Sequence, residues 1–271
     1  MKGRSAIDFK SILIPIITFI VVFVGISVGV HVFSVNEMIL PSPLQVLIAL
    51  KQEFGNLAWD GLITLFESVL GFLLGGFAAI SMAIMFQFSK TVEKAVFPYA
   101  ISLKAVPLVA LAPLIVVWCG SGLLSKVVLA AVISFFPILV NAARGLDSIN
   151  TEALDLMSTL SASKWQVLIK VRFPTALPLI FAGMKISSTF AVVGAVVAEF
   201  IGSNSGIGNS VKTSMYYLDT DICFAAIIMM AIISLLFYGT VCFIESRVLF
   251  RFNSSEDVEA QSSANGKTVV I

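Results

Sequence analysis

The stretch from Ser68 to Phe88 contains no charged residue, and long apolar runs of this kind limit the fold more than any other feature of the sequence. A helix needs about 20 apolar residues to cross a bilayer, and backbone groups inside lipid must be hydrogen-bonded within the chain. Of the 271 residues, 58% are hydrophobic and 12% charged, far more apolar surface than a water-soluble core needs. The sequence therefore predicts an all-α polytopic membrane protein with six transmembrane helices, at Ile12–Phe33, Leu62–Phe88, Ala95–Trp118, Lys126–Ala142, Thr175–Ile201 and Asp221–Ile244.

The positions of Lys and Arg between these runs predict the orientation, because cytoplasmic loops are enriched in both. Most of the 17 Lys and Arg residues fall on the side that holds both termini and the 143–173 loop. We therefore expect a cytoplasmic stub over 1–11, a transmembrane domain over 12–250 whose 143–173 loop is cytoplasmic, and a disordered cytoplasmic tail over 251–271. In a bacterium, such a protein would be a multi-pass component of the inner membrane.

The sequence offers little support for cofactor chemistry. The chain has a single His, and its three cysteines are scattered on apolar runs with no metal-ligand spacing. The tail segment 266–268, Gly-Lys-Thr, echoes a phosphate-binding loop, but the motif needs a glycine five residues earlier, where Gln261 stands. We therefore predict that this chain is not an enzyme and binds no cofactor, and that any ATP and Mg²⁺ belong to a partner chain.

Residues 151–178 form a polar segment inside this apolar chain, and their spacing predicts two short amphipathic helices. Thr151 is expected to cap the first helix, whose apolar face holds Ala153, Leu156, Met157 and Leu160. Ser163 with Gln166 three residues later fits a capping box that begins a second helix, whose apolar face holds Trp165, Leu168 and Ile169. Two interpretations stay open: the helices rest on the lipid surface, or they lie in a groove of a cytosolic partner.

The segment resembles the EAA loop of ABC-importer permease subunits, which has the form E-A-A, three residues, G, nine residues, then I-x-L-P. Glu152 and Ala153 match its opening, and ASKWQVLIKVRFPTALPLIFAGMKIS is similar to the continuation in the nitrate, sulfonate, taurine and vitamin-precursor branch. The stretches LPSPLQV, VPLVALAPLIVVWCGSGLLSKVVLAAVISFFPILVNAARGL and VVAEFIGSNSGIGNSV extend the resemblance over roughly residues 38–247. Counted back from the end of the pattern, which falls at residues 171–174, the usual glycine falls at Ser161, so Glu152 lies three residues farther from it than in the pattern. A left-handed backbone at Ser161 costs about 1 kcal/mol more than with glycine.

This resemblance implies a type I importer fold in which two copies of the permease, a homodimer, form the pore. Cytosolic ATPase subunits would each grip a loop like 151–172, and a periplasmic or lipid-anchored binding protein would deliver a small polar or anionic solute of the nitrate, sulfonate or taurine, bicarbonate or vitamin-precursor type. The ATPase-coupling residues would be Glu152, Ala153, Leu156, Leu160, Ser161, Ser163, Lys164 and Trp165. The alternative is a secondary transporter driven by an ion gradient, although such proteins usually show internal repeats.

Ionisable residues inside the apolar runs are candidates for a substrate path, because charge in a membrane is costly and usually functional. Lys104, Lys185 and Glu199 meet this criterion, and Ser102 and Ser188 add hydroxyl groups. Ion pairs, snorkelling or hydroxyls bonded to their own helix are the structural alternatives. At 1.5 Å per residue, Lys185 and Glu199 lie about 21 Å apart on one helix and cannot pair with each other.

Two further features carry weaker signals. The pairs Gly25/Gly29 and Gly71/Gly75 permit close helix contacts, either within the chain or with another subunit. The loop 202–208, GSNSGIG, is either a contact surface for the binding protein or a plain turn.

Overall fold

The computed structural model describes residues 38–266 except 106, with isolated positions between 13 and 36, and its side chains are described up to Phe250 except at 100, 101, 103–106 and 108. The described part of the chain is built from helices. In chain order these are α1 Pro43–Gln52, α2 Phe54–Phe88, α3 Lys90–Ala105, α4 Leu108–Cys119, α5 Leu123–Asp147, α6 Thr151–Thr159, α7 Lys164–Val167, a π-helical turn Leu168–Arg172, α8 Phe173–Gly202, α9 Ile207–Tyr217 and α10 Thr220–Gly266.

Within the described residues, four stretches of helix are long and apolar enough to cross a membrane: Phe54–Phe88, Leu123–Asp147, Lys164–Gly202 and Thr220–Phe250. They contain the second, fourth, fifth and sixth predicted spans. The third predicted span, Ala95–Trp118, is instead divided into α3 and α4, with Pro107 between them. Proline lacks the N–H that would continue the helix. The first predicted span, Ile12–Phe33, lies largely outside the described residues.

The tail departs from its prediction. We expected disorder over 251–271, but α10 continues as a helix to Gly266. The last five residues and the predicted stub 1–11 lie outside the described residues.

Helix α5 lies between α2 and α8 and forms the centre of the bundle, where Ile138 and Leu139 are fully buried. The approach of α2 is close because Gly71 and Gly75 face it: a Cβ at Gly71 would overlap Ala130, and one at Gly75 would overlap the backbone carbonyl of Ala131. These two glycines therefore make their close contact within the chain.

Gly75→Ala is expected to destabilise the protein by about 1–3 kcal/mol, because its methyl group meets backbone that cannot move without shifting α5. This loss outweighs the helix propensity that alanine adds, about 1 kcal/mol. Gly239→Ala in α10 is the matched control, since nothing lies within 4 Å of a Cβ there. Thermal denaturation of the purified protein in detergent should show a lower midpoint for Gly75→Ala and an equal or higher one for Gly239→Ala. Equal midpoints for Gly75→Ala and the wild type would contradict the close packing.

Candidate functional site

Helix α6 stands clear of the membrane-spanning helices, and none of its residues is buried. Asn150 caps it, not Thr151 as predicted: Asn150 Oδ1 accepts the Glu152 backbone N–H at 3.3 Å, and Asn150 Nδ2 donates to the Glu152 carboxylate at 3.3 Å. Leu156 and Leu160 are 61% and 67% exposed. The amphipathic helix predicted from the spacing is confirmed as a helix; on its apolar face Leu156 and Leu160 are exposed, and Ala153 and Met157 are half-buried.

The turn after α6 is held by a Schellman motif. The Ala162 N–H donates to Met157 O at 3.0 Å, and the Ser161 N–H donates to Ser158 O at 3.0 Å. Ser161 has φ 51°, the left-handed conformation that such a motif requires and that glycine usually supplies. Ser161 therefore adopts the expected left-handed turn, although its side chain makes this conformation less favourable than it would be for glycine.

The predicted second helix begins at its predicted capping box. The Ser163 N–H donates to Gln166 Oε1 at 2.8 Å, and the Gln166 N–H donates to Ser163 Oγ at 3.2 Å. The α-helix lasts only four residues before the π-helical turn. On the predicted apolar face of this second helix, Leu168 is buried, whereas Trp165 and Ile169 are exposed. Trp165 is 55% exposed, and its ring lies 5.5 Å from that of Phe88 at the end of α2.

Arg172 ties the end of the π-helical turn to two spanning helices. Its Nη1 donates to Gln87 Oε1 of α2 at 2.6 Å and to the backbone carbonyl of Leu146 of α5 at 2.8 Å. Nη1 also lies 3.8 Å from a carboxylate oxygen of Asp147, which in turn accepts from Gln87 Nε2 at 3.1 Å. Lys164, with Gln87 and Arg172, lines a small cavity at this junction.

Lys90 extends these contacts to the start of α3. Its amine lies 2.8 Å from Glu93 and 3.3 Å from Asp147. The hydrogen bond to Glu93 is the main cause that raises the pKa of Lys90, and it exceeds the opposing effect of burial. Lys90 therefore stays charged at neutral pH, and its exposed side chain makes the contribution of these ion pairs to stability small.

At the opposite end of the bundle, Glu199 is fully buried near the start of α9. Its Oε1 accepts from Thr64 Oγ1 of α2 at 2.7 Å, and its Oε2 accepts the Gly208 N–H at 2.7 Å. Thr64 Oγ1 also accepts the Ile207 N–H at 3.0 Å. The first turn of α9 is thus capped by side chains from α2 and α8.

Asp60 of α2 completes this cap. One carboxylate oxygen accepts the Gly206 N–H at 3.0 Å, and the other accepts the Ser210 hydroxyl. Lys212 donates to the Ser203 carbonyl at 2.8 Å. The 202–208 loop, which the sequence left open between a contact surface and a plain turn, is fixed to the spanning helices by these bonds.

Glu67 and Lys126 form a buried ion pair beside Glu199, joining α2 to α5. Lys126 Nζ lies 3.4 Å from Glu67 Oε1, and the two side chains are 6% and 3% exposed, in the order Lys126 and Glu67. Glu67 Oε2 finds no hydrogen-bond partner among the described residues.

The structure does not gather the residues proposed for a substrate path. Lys185 forms an ion pair with Glu245 of α10 at 2.8 Å. The hydroxyls of Ser188 and Ser102 donate to carbonyls of their own helices at 2.8 and 2.9 Å. The side chain of Lys104 lies outside the described residues. For Lys185, Ser188 and Ser102, the contacts are those of the structural alternatives.

Sequence reasoning missed several residues that make the long-range contacts: Asp60, Glu67, Gln87, Arg172 and Glu245. Glu67 carried a signal, because it is the only charge in its apolar run. Lys126, the first residue of the fourth predicted span, is buried in the first turn of α5. Nothing in the spacing pointed to the partners of Arg172.

A bundle of helices long and apolar enough to cross a membrane, with a capped and largely exposed helix pair at one end, defines a polytopic membrane protein. The chain belongs to the family of binding-protein-dependent transport system inner membrane components, which it matches over residues 71–250. It is therefore a multi-pass permease subunit of a binding-protein-dependent ABC importer, as the resemblance implied.

Relatives agree with this assignment. The chain is 34% identical to the riboflavin transport system permease protein RibX of Chloroflexus aurantiacus, over 94% of this chain and 95% of that one. It is 31% identical to the putative aliphatic sulfonates transport permease protein SsuC of Bacillus subtilis, over 91% and 89%. A chain in an inward-facing structure of the MetNI methionine ABC transporter superposes with a TM-score of 0.63 at 17% identity, covering 74% of this chain and 98% of that one. The last match confirms the type I importer fold.

Proposed function

We propose that segment 151–172 docks a separate ATPase subunit and passes its movement to the membrane helices. One observation carries this proposal: Leu156 and Leu160 are 61% and 67% exposed on a helix whose two ends are fixed by a cap and a Schellman motif. An apolar face that is exposed and held rigid is typical of a surface that is covered by a partner.

Each residue of the docking segment has a defined part. Leu156 and Leu160 are the apolar anchors, which a groove on the partner would desolvate. Glu152 places an exposed carboxylate at the start of α6, where a basic residue of the ATPase can meet it, although the helix dipole also stabilises it there. Ala153 presents only a methyl group, which allows the partner to approach the helix closely. Trp165 contributes its exposed ring edge.

The turn residues set the angle between the two helices. Ser161 and Ser163 fix the connection through the left-handed residue and the capping box. Lys164 adds an exposed positive charge at the start of α7. Their role is to orient the anchors relative to α7 and the π-helical turn.

The proposal places both termini and segment 151–172 in the cytoplasm, in line with the distribution of Lys and Arg. Two copies of the chain would form the pore, with ATP and Mg²⁺ held by the ATPase subunits and no cofactor on this chain. A periplasmic or lipid-anchored binding protein would meet the end of the bundle that carries α9.

The solute is proposed to be small and polar or anionic. Relatives at 31–34% identity are named for riboflavin and for aliphatic sulfonates, and another, from Escherichia coli, is named for taurine. Among the path residues whose side chains are described, Ser102, Lys185, Ser188 and Glu199 do not come together in one site, and selectivity is proposed to reside in the binding protein.

Reconstitution tests the proposal against the ion-driven alternative. The permease is purified together with its ATPase subunit and placed in liposomes with its binding protein, whose bound solute is identified by mass spectrometry. Uptake of that solute should require ATP on the cytoplasmic side and persist when ion gradients are collapsed. Uptake that follows an ion gradient without an ATPase would overturn the proposal.

A further inference from the structure

The π-helical turn Leu168–Arg172 interrupts the helix that joins the docking segment to α8. A π-helical turn widens the backbone and replaces regular i to i−4 bonds, so it is a point at which a helix can bend. Any displacement of α6 and α7 must pass this point to reach the membrane. Without a contact that holds the π-helical turn in place, bending at the turn would absorb part of the movement.

Arg172 occupies the last position of this turn and is bonded to two other helices. Gln87 is the penultimate residue of α2, and Leu146 is the penultimate residue of α5. The carbonyls in the last turn of a helix have no partner within it, so the bond from Arg172 at 2.8 Å gives the Leu146 carbonyl the donor it lacks. The Arg172 side chain is 23% exposed, which limits its screening by water.

A second contact, between Trp165 and Phe88, also links this region to the end of α2. Trp165 belongs to α7, before the π-helical turn, and its ring lies 5.5 Å from that of Phe88, the residue after Gln87. The Trp165 contact is made from the start of the interrupted helix, and the Arg172 contact is made from the end of the π-helical turn. Both contacts reach the same end of α2, and together they bridge the turn.

Helix α2 can carry a movement across the membrane. It is 35 residues long, about 50 Å at 1.5 Å per residue. Its other end bears Asp60 and Thr64, which hold the first turn of α9. A displacement of Gln87 can therefore be transmitted along α2 to the opposite end of the bundle.

We propose that Arg172 is a positioning residue that locks the π-helical turn to the ends of α2 and α5, so that movement of the docking segment is transmitted to both helices. The proposal rests on the proposed function of segment 151–172. It assigns Arg172 no contact with the ATPase, and it separates docking, which α6 performs, from transmission, which Arg172 performs.

The test uses the full complex of permease and ATPase subunits in lipid nanodiscs, with Mg-ATP as the probe. Spin labels are attached at Trp59→Cys, at the far end of α2, in a background whose native cysteines are replaced by serine. The distance between the labels of the two copies is measured with and without Mg-ATP. Co-purified ATPase measures docking in the same samples.

Arg172→Ala is expected to keep wild-type amounts of bound ATPase while the ATP-induced change in label distance falls to about half or less. Arg172→Lys should recover part of the change, because an ammonium group reaches one acceptor but lacks the planar fork. Adding Gln87→Ala to Arg172→Ala should cause no further loss, since both remove the same interaction. Lys94→Ala, an exposed lysine at the same end, is the control and should behave as wild type.

The outcomes separate the two proposals. If the wild type binds the ATPase and responds to Mg-ATP, and Arg172→Ala responds equally, the role of Arg172 is refuted while docking stands. If the wild type retains no ATPase, the proposed function fails first. If Arg172→Ala loses the ATPase as well as the response, Arg172 belongs to the docking surface and the separation of roles is refuted.

Discussion

Glu199→Leu is expected to lower the free energy of unfolding by about 3–5 kcal/mol, the range seen when one partner of a buried charged network is removed. Leucine fits the volume, but in a fully buried site it leaves the Gly208 N–H without an acceptor and the Thr64 hydroxyl with only the Asp60 carbonyl, 3.1 Å away. Each unsatisfied buried group costs about 1–3 kcal/mol. Denaturation of the purified protein, followed by the accessibility of its cysteines to a thiol reagent, measures the loss.

Glu199→Gln is the informative control, and its loss should be much smaller. The amide oxygen can accept from Gly208, and the amide nitrogen can donate to Thr64 Oγ1. The Thr64 hydroxyl can then turn to the Asp60 carbonyl, which lies 3.1 Å away. Asp155→Asn on the exposed side of α6 should change nothing measurable. Equal losses for leucine and glutamine would show that charge, and not the hydrogen bonds, stabilises the cap.

Leu160→Asp is expected to weaken binding of the ATPase subunit by about 30-fold or more. A central apolar anchor contributes about 2 kcal/mol or more to an interface, and each 1.4 kcal/mol is about a tenfold change in affinity. Because Leu160 is 67% exposed in the free chain, the substitution should leave the permease folded. Pull-down of the ATPase by tagged permease measures the effect, and uptake should fall in parallel.

Two further variants sharpen this second prediction. Glu152→Lys should leave the protein in the membrane but uncouple transport, because it reverses the charge at the start of α6. Tyr216→Asp replaces a side chain that is 81% exposed at the opposite end of the bundle, and it should retain the ATPase. If Leu160→Asp retains the ATPase as well as Tyr216→Asp does, the apolar face of α6 is not the docking surface.

Local sequence patterns predicted the local structure of the docking segment well. The capping box at Ser163 and the left-handed turn at Ser161 depend on neighbours within a few residues, which the sequence displays directly. The N-cap was misplaced by one residue because Asn150 and Thr151 are both capping residues and stand side by side. The choice between them depends on where the preceding helix ends.

Contacts between helices were beyond the reach of the same reasoning. Arg172 is separated from Gln87 by 85 positions and Lys185 from Glu245 by 60. Such pairs depend on which helices are neighbours and on how each is rotated, and neither is encoded in residue spacing. The charge on Lys185 marked a costly group correctly, but the sequence could not show that Glu245 compensates it.

The capping of α9 also bears on how a negatively charged solute would enter. The first amide groups of a helix form a ready binding site for anions, and those of α9 lie where α2 begins and α8 ends. Here the carboxyl groups of Asp60 and Glu199 already occupy that position and accept its N–H groups. These amides are therefore already bonded within the chain, so this helix end offers an anionic cargo no free binding site.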